Sequence, residues 1–102
     1  METIIAGKSI TVNDEGYLTD FNQWDENVCE ALAADCNICL TPKHWELIKY
    51  LQTEQKNQVA LSIRHVGKSG VVDIKGLYQL FPNAPLKTAT KVAGIPKPVS
   101  CI

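Results

Sequence analysis

The stretch "LTPKHWELIKYLQ", residues 40–52, opens on a helix start. Thr41 is an N-cap residue, whose hydroxyl can accept from an amide of the first turn. Pro42 follows at the first helical position, where its missing amide hydrogen would have no partner anyway. Trp45, Ile48 and Leu51 then recur at helical spacing and form one apolar stripe. The stretch reads as an amphipathic helix, and the neighbouring segments are placed around it.

Toward the N-terminus, "QWDENVCEALAADC" (23–36) puts Trp24, Val28, Ala31 and Leu32 on one face. Its early acids, Asp25, Glu26 and Glu30, suit the positive end of a helix dipole, and Asn37 offers a stop. Before it, "TIIAGKSITV" (3–12) holds two β-rich runs around Ala6-Gly7-Lys8, which suits a hairpin. "NDEG" (13–16) is a second turn, and "YLTDF" (17–21) supplies a third short strand.

Toward the C-terminus, "NQVALSIRHVG" (57–67) reads as a third helix with Val59, Ile63 and Val66 inward. The glycines of "GKSG" (67–70) break it. "VVDIKGLYQLF" (71–81) is a fourth helix, stopped by Pro82, and "PLKTATKVAG" (85–94) is a fifth, from Pro85 to Gly94. Beyond Gly94, "IPKPVSCI" cannot be helical, because Pro96 and Pro98 lack donors and restrict their neighbours. The fold expected is a single α+β domain of 102 residues: an antiparallel β-meander (1–22), about five helices (23–93) with a helix-turn-helix-like element, and a flexible C-terminal arm (94–102).

Composition narrows the function. Apolar residues make up 45% and charged residues 21%, as in an ordinary globular domain. No apolar run reaches the length of a membrane span, and the N-terminus lacks a signal-peptide core, so a cytoplasmic protein with reduced thiols is expected. The net charge of −1 is unevenly placed. Residues 1–63 hold ten acids and four bases, whereas residues 64–102 hold six bases and one acid. The back third should favour an anionic partner.

Several motifs look like chemistry without its requirements. "GKS" occurs at 7–9 and 67–69, but a phosphate loop needs a further glycine five positions earlier, where Glu2 and Ser62 stand. Cys29, Cys36, Cys39 and His44 invite a zinc reading, and Cys36-Asn37-Ile38-Cys39 a redox pair. Cys29 falls inside one helix and His44 in the first turn of the next, so ordinary free thiols are expected, with no metal and no cofactor. His65 has no triad-like neighbours in the sequence. Residues 59–81 could form a DNA-reading helix-turn-helix, but its second helix offers only Lys75, with Asp73 beside it. Direct nucleic-acid binding is therefore the lesser alternative.

The tail is different, because core packing does not account for it. A polyproline-like arm rises about 3.1 Å per residue, so Cys101 could reach roughly 20–25 Å beyond the last helix. Such an arm can carry a sulfur atom into another protein's active site. The thiolate is the reactive form; Lys97 and the cationic face favour it, and the adjacent C-terminal carboxylate opposes it.

"LTPKHWELIKYL", "GLYQLFP" and "ATKVAGIPKPVSCI" closely resemble the DsrC/TusE family of sulfur-relay proteins, as does "DEGYL" followed by a Trp. The resemblance covers nearly the whole chain. It implies a β-meander on a helical array, a mobile C-terminal arm and a reactive penultimate cysteine, which is Cys101 here. DsrC proper carries a second cysteine eleven residues earlier, where this chain has Thr90. That departure points away from dissimilatory sulfite reductase and toward the TusE-like members. Those accept persulfide sulfur from an upstream relay complex and pass it to the thiolase that makes 2-thiouridine in tRNA. A carrier for sulfite reductase or sulfur oxidation is the alternative. Either way the chain would be a sulfurtransferase component, not a stand-alone enzyme. The resemblance further suggests that Arg64, Lys87, Lys91 and Lys97 steer the anionic persulfide and its partners. Between "HWELIKYL" and "LYQLFP" the chain is several residues shorter than the family pattern, and Cys29, Cys36 and Cys39 are not motif positions.

Overall fold

A computed structural model describes residues 1–82 and 84–97. Strands β1 (Glu2–Ile5) and β2 (Lys8–Thr11) pair antiparallel with Glu2 opposite Thr11 and Ile5 opposite Lys8. The two-residue turn between them has positive φ at both Ala6 (53°) and Gly7 (77°). That geometry matches the right-handed twist of the strands it joins. One face of the hairpin buries Ile5 and Ile10, and the other is exposed.

The third strand of the meander is reduced to a single bridge, Val12 to Leu18. Two local devices shorten it. The Asn13 side chain accepts from the amides of Glu15 and Tyr17, each at 3.0 Å, which curls the chain around residues 13–17. Asp20 then caps a 3-10 turn, Phe21–Gln23, by accepting from the Asn22 amide. Tyr17 and Leu18 are both buried, so the segment lacks the in-out alternation of a strand.

Helix α1 (Glu26–Asp35) starts later than its apolar spacing suggests, because Asp25 is its N-cap and accepts from the Val28 amide at 2.8 Å. Trp24 therefore stands outside the helix. Asn37 ends α1 in the left-handed conformation (φ 59°), with the Ile38 and Asn37 amides bonded back to Ala33 and Ala34.

Helix α2 (Pro42–Lys56) starts as the sequence indicates, with Thr41 capping and Pro42 in the first turn. His44 completes a reciprocal cap: its Nδ1 accepts from the Thr41 amide at 3.1 Å, and its backbone amide faces the Thr41 hydroxyl. Since Nδ1 accepts, Nε2 carries the hydrogen, and it donates to the Leu80 carbonyl at 2.8 Å. His44 is thus a structural tie between two helices.

Helix α3 is only Ile63–Gly67, not a helix from residue 57, since the cap is Ser62, which accepts from His65. Gln58 has φ 60°, and the chain around Val59 is not helical. After the turn at 68–73, α4 (Ile74–Leu80) is capped by Asp73. Together these form the helix-turn-helix-like element. Helix α5 (Pro85–Val92) packs against α1, α2 and α4 and occupies the middle of the core. Its buried face is Leu86, Ala89, Thr90 and Val92, against Val28, Leu47, Leu51 and Phe81 of the surrounding core. The architecture is α+β. Among the described residues no helix is long and apolar enough to cross a membrane.

Candidate functional site

The site is best read at the root of the C-terminal arm, where α5 ends. Gly94 takes φ 74°; its amide bonds back to the Lys91 carbonyl at 3.1 Å, and that of Ile95 to Thr90 at 3.2 Å. This double back-bond is a Schellman ending, and Ile95 completes it by burying its side chain. Two side chains from elsewhere then take the last carbonyls of the helix. Trp24 Nε1 donates to Val92 O at 2.9 Å, and Gln52 Nε2 donates to Ala93 O at 2.8 Å. A Cβ on Gly94 would lie 2.7 Å from Trp24 Cγ, so only glycine fits beneath that ring. The arm therefore leaves the globule from a fixed point and in a fixed direction as far as Lys97.

A second set of contacts ties the root to the N-terminal turn. Lys97 Nζ sits 2.9 Å from a Glu15 carboxylate oxygen. Lys91 Nζ lies over the Tyr17 ring, 5.3 Å from its centroid, and the Tyr17 hydroxyl donates to Lys87 O at 3.2 Å. The hydrogen bond from Lys97 holds the Glu15 carboxyl below the usual range, helped by the positive charges of Lys97, Lys87 and Lys91. Three of the four basic residues singled out in the sequence thus converge on Glu15 and Tyr17. Arg64 does not join them: it is exposed on α3.

Cys101 lies outside the described residues, as do Pro98 and the rest of the arm tip. Thr90, eleven residues before it, is fully buried, and its hydroxyl donates within α5 toward Leu86 O (2.8 Å) and Lys87 O (3.0 Å). Of the remaining thiols, Cys29 is buried in α1, where desolvation pushes its pKa up to about 12, with Glu30 and Glu26 adding to the rise. Cys36 and Cys39 are exposed at the end of α1. Both ring nitrogens of His44 are engaged, as described, and among the described residues no cluster of three or more His, Cys, Asp or Glu could hold a metal ion.

Sequence reasoning gave no site role to Glu15, Tyr17, Trp24 or Gln52. Trp24 carried a signal: an N-cap residue, Asp25, follows it directly and expels it from the helix. Glu15 and Tyr17 lie in the family stretch "DEGYL", which gave them no role, and Gln52 acts across the fold with no local pattern to mark it.

The DsrC like protein family model matches residues 4–102. The chain belongs to this family. Among its relatives, the sulfurtransferase TusE of Escherichia coli K12 is 38% identical over 109 residues, covering 97% of this chain and 98% of the relative. Its Salmonella typhimurium counterpart is 39% identical with the same coverage. Because the alignment spans 109 residues but takes in 97% of a 102-residue chain, about ten positions of these relatives have no counterpart here. The fold agrees with solved DsrC structures. Allochromatium vinosum DsrC superposes with a TM-score of 0.81 at 35% identity, with both chains fully covered. The oxidized gamma-subunit of dissimilatory sulfite reductase (DsrC) from Archaeoglobus fulgidus gives 0.80 at 36%, again with full coverage. A DsrC-family chain with TusE relatives is a sulfur carrier, and its partners are members of a sulfur relay.

Proposed function

We propose that Cys101 is the atom-bearing residue of this carrier. Its thiolate attacks the outer sulfur of a donor persulfide, R–S–SH. The donor S–S bond breaks, a new S–S bond forms on Cys101, and the donor leaves as the thiolate R–S⁻. An acceptor thiolate then removes the same sulfur by the same exchange and leaves Cys101 as a thiolate again. No net oxidation occurs, so no redox cofactor enters the cycle. The root contacts supply a fixed departure point for the arm. Lys97, Lys91 and Lys87 supply positive potential beside it, which favours the thiolate and the anionic persulfide. Arg64, on α3, would act on partners at a distance from that cluster.

Thr90 is the observation that carries the choice among relay roles. A DsrC that pairs its two arm cysteines needs sulfur at this position, and this chain has a buried hydroxyl there. The TusE-like role follows: sulfur arrives in the cytoplasm from upstream persulfide-donor proteins and leaves for a tRNA thiolase that makes 2-thiouridine. The DsrC naming of the solved structures favours the second reading, a carrier for sulfite reductase. Loading the protein from a persulfide donor and taking an intact mass tests the first claim. A gain of about 32 Da that vanishes in Cys101→Ser supports it. A gain that persists in that variant assigns the sulfur to Cys29, Cys36 or Cys39 instead. Loss of 2-thiouridine on deletion of the gene, restored by the wild-type chain only, separates the two relay roles.

A further inference from the structure

One stripe of α2 turns toward the arm root and carries Lys49, Gln52, Thr53 and Lys56, spaced three and four residues apart. With Phe21, Ile95 and Pro96 it encloses a groove of about 690 Å³. The groove floor is apolar. Phe21 is 49% exposed, although its ring stacks on Trp24 at 5.8 Å and 8°. The rim is cationic: Lys49 and Lys56 are two of the four bases in residues 1–63, and no acidic side chain lines the groove among the described residues. Neither lysine has an ion-pair partner among the described residues, whereas Lys8, Lys43 and Lys97 each have one.

The groove is also joined mechanically to the arm. Gln52 forms part of its wall and holds the Ala93 carbonyl, and Trp24, under Phe21, holds the carbonyl before it. Cys101 lies five residues beyond Pro96, a stretch that spans at most about 18 Å. A protein seated in this groove has its own surface within reach of Cys101.

We propose that this groove is the docking surface for a relay partner, which enters it with an apolar side chain flanked by Asp or Glu. The inference rests on the carrier reading above and adds to it where the partner binds and with what chemistry. An apolar floor with an unpaired cationic rim fits an acidic protein segment, because the floor supplies affinity and the rim orientation and encounter rate. It does not fit RNA, whose binding draws on many phosphate contacts.

The test separates loading from docking. Glutathione persulfide, a small donor that needs no docking, should load wild type, Phe21→Ala and the double variant Lys49→Glu/Lys56→Glu at equal rates. The protein probe is the one that forms a Cys101-dependent mixed disulfide with the chain in an extract of its own cells, afterwards purified. Sulfur handover between that protein and the loaded carrier should slow about tenfold or more in each variant, with a reduced salt dependence in the double variant. Its footprint on amide spectra of the Cys101→Ser carrier should centre on Phe21, Gln52 and Thr53. Normal loading with unchanged handover in both variants, or a footprint elsewhere, overturns the docking surface and leaves the carrier standing. So does a self-association that the double variant abolishes, which would give the groove to a second copy of this chain. Failure of Cys101 to load from glutathione persulfide overturns the carrier reading itself.

Discussion

Trp24 Nε1 donates to the Val92 carbonyl oxygen at 2.9 Å, joining two residues 68 positions apart. Val92 is fully buried, so its carbonyl has no water to turn to once the indole is gone. Trp24→Phe keeps most of the ring and removes only the donor. It should cost about 1–2 kcal/mol, the usual penalty for stranding a buried acceptor. Urea unfolding followed by circular dichroism measures it; a cost near zero would mean that this bond does not hold the end of α5.

Gly94→Ala attacks the same joint from the other side. The φ of 74° is costly for any residue with a Cβ, and the added methyl meets the Trp24 ring. The expected loss is about 2–4 kcal/mol in wild type. In a Trp24→Ala background the steric part disappears, leaving about 1–2 kcal/mol for the backbone alone. A double-mutant cycle should therefore show a coupling of about 1–2 kcal/mol between the two positions.

The joint also shows what a sequence displays and what it withholds. The starts of α2 and α5 and the end of α5 are legible, because Thr41, Pro42, Pro85 and Gly94 act on backbone groups within a turn of themselves. Helix α3 is misread because its apolar spacing extends back to Val59, whereas the cap that starts it, Ser62, lies three residues farther on. The third strand is misread because Asn13 and Asp20 take the amides that a strand would have offered to a neighbour. Cys101 stands out in the sequence because nothing local explains it. The pairings of Glu15, Trp24 and Gln52 do not show in the sequence, since their partners lie 82, 68 and 41 residues away.

Lys97 makes the Glu15 carboxyl a reporter of the arm root. Its pKa in the folded chain lies below the ordinary value of 4.5, mainly through the hydrogen bond from Lys97. A depressed carboxyl stabilises the fold above its unfolded pKa, and that contribution is lost as the pH falls through the folded value. Carbon-detected titration of the Glu15 side chain should place its midpoint below that of a free glutamate. Lys97→Ala should move the midpoint upward. An unchanged midpoint would show that the lysine does not rest on this turn in solution.

Thiol reactivity gives the last prediction and guards the carrier assignment against the other cysteines. Cys29 is buried in the core and held protonated up to about pH 12, so at pH 8 it presents neither access nor thiolate. Cys36 and Cys39 are exposed and should alkylate. A Cys101→Ser protein retains three thiols of the four in the chain. Iodoacetamide at pH 8 should add two labels to it when folded and three in denaturant, counted by intact mass. The raised thiol pKa also has a stability consequence with a definite sign. Above the ordinary thiol value of 9.0 the unfolded chain releases the Cys29 proton and the folded chain does not, so stability should fall as the pH rises from about 9 toward 12. Cys29→Ala or Cys29→Ser should remove that alkaline slope, whatever either variant costs at neutral pH. Rapid labelling of Cys29 in the folded protein would contradict its place in the core.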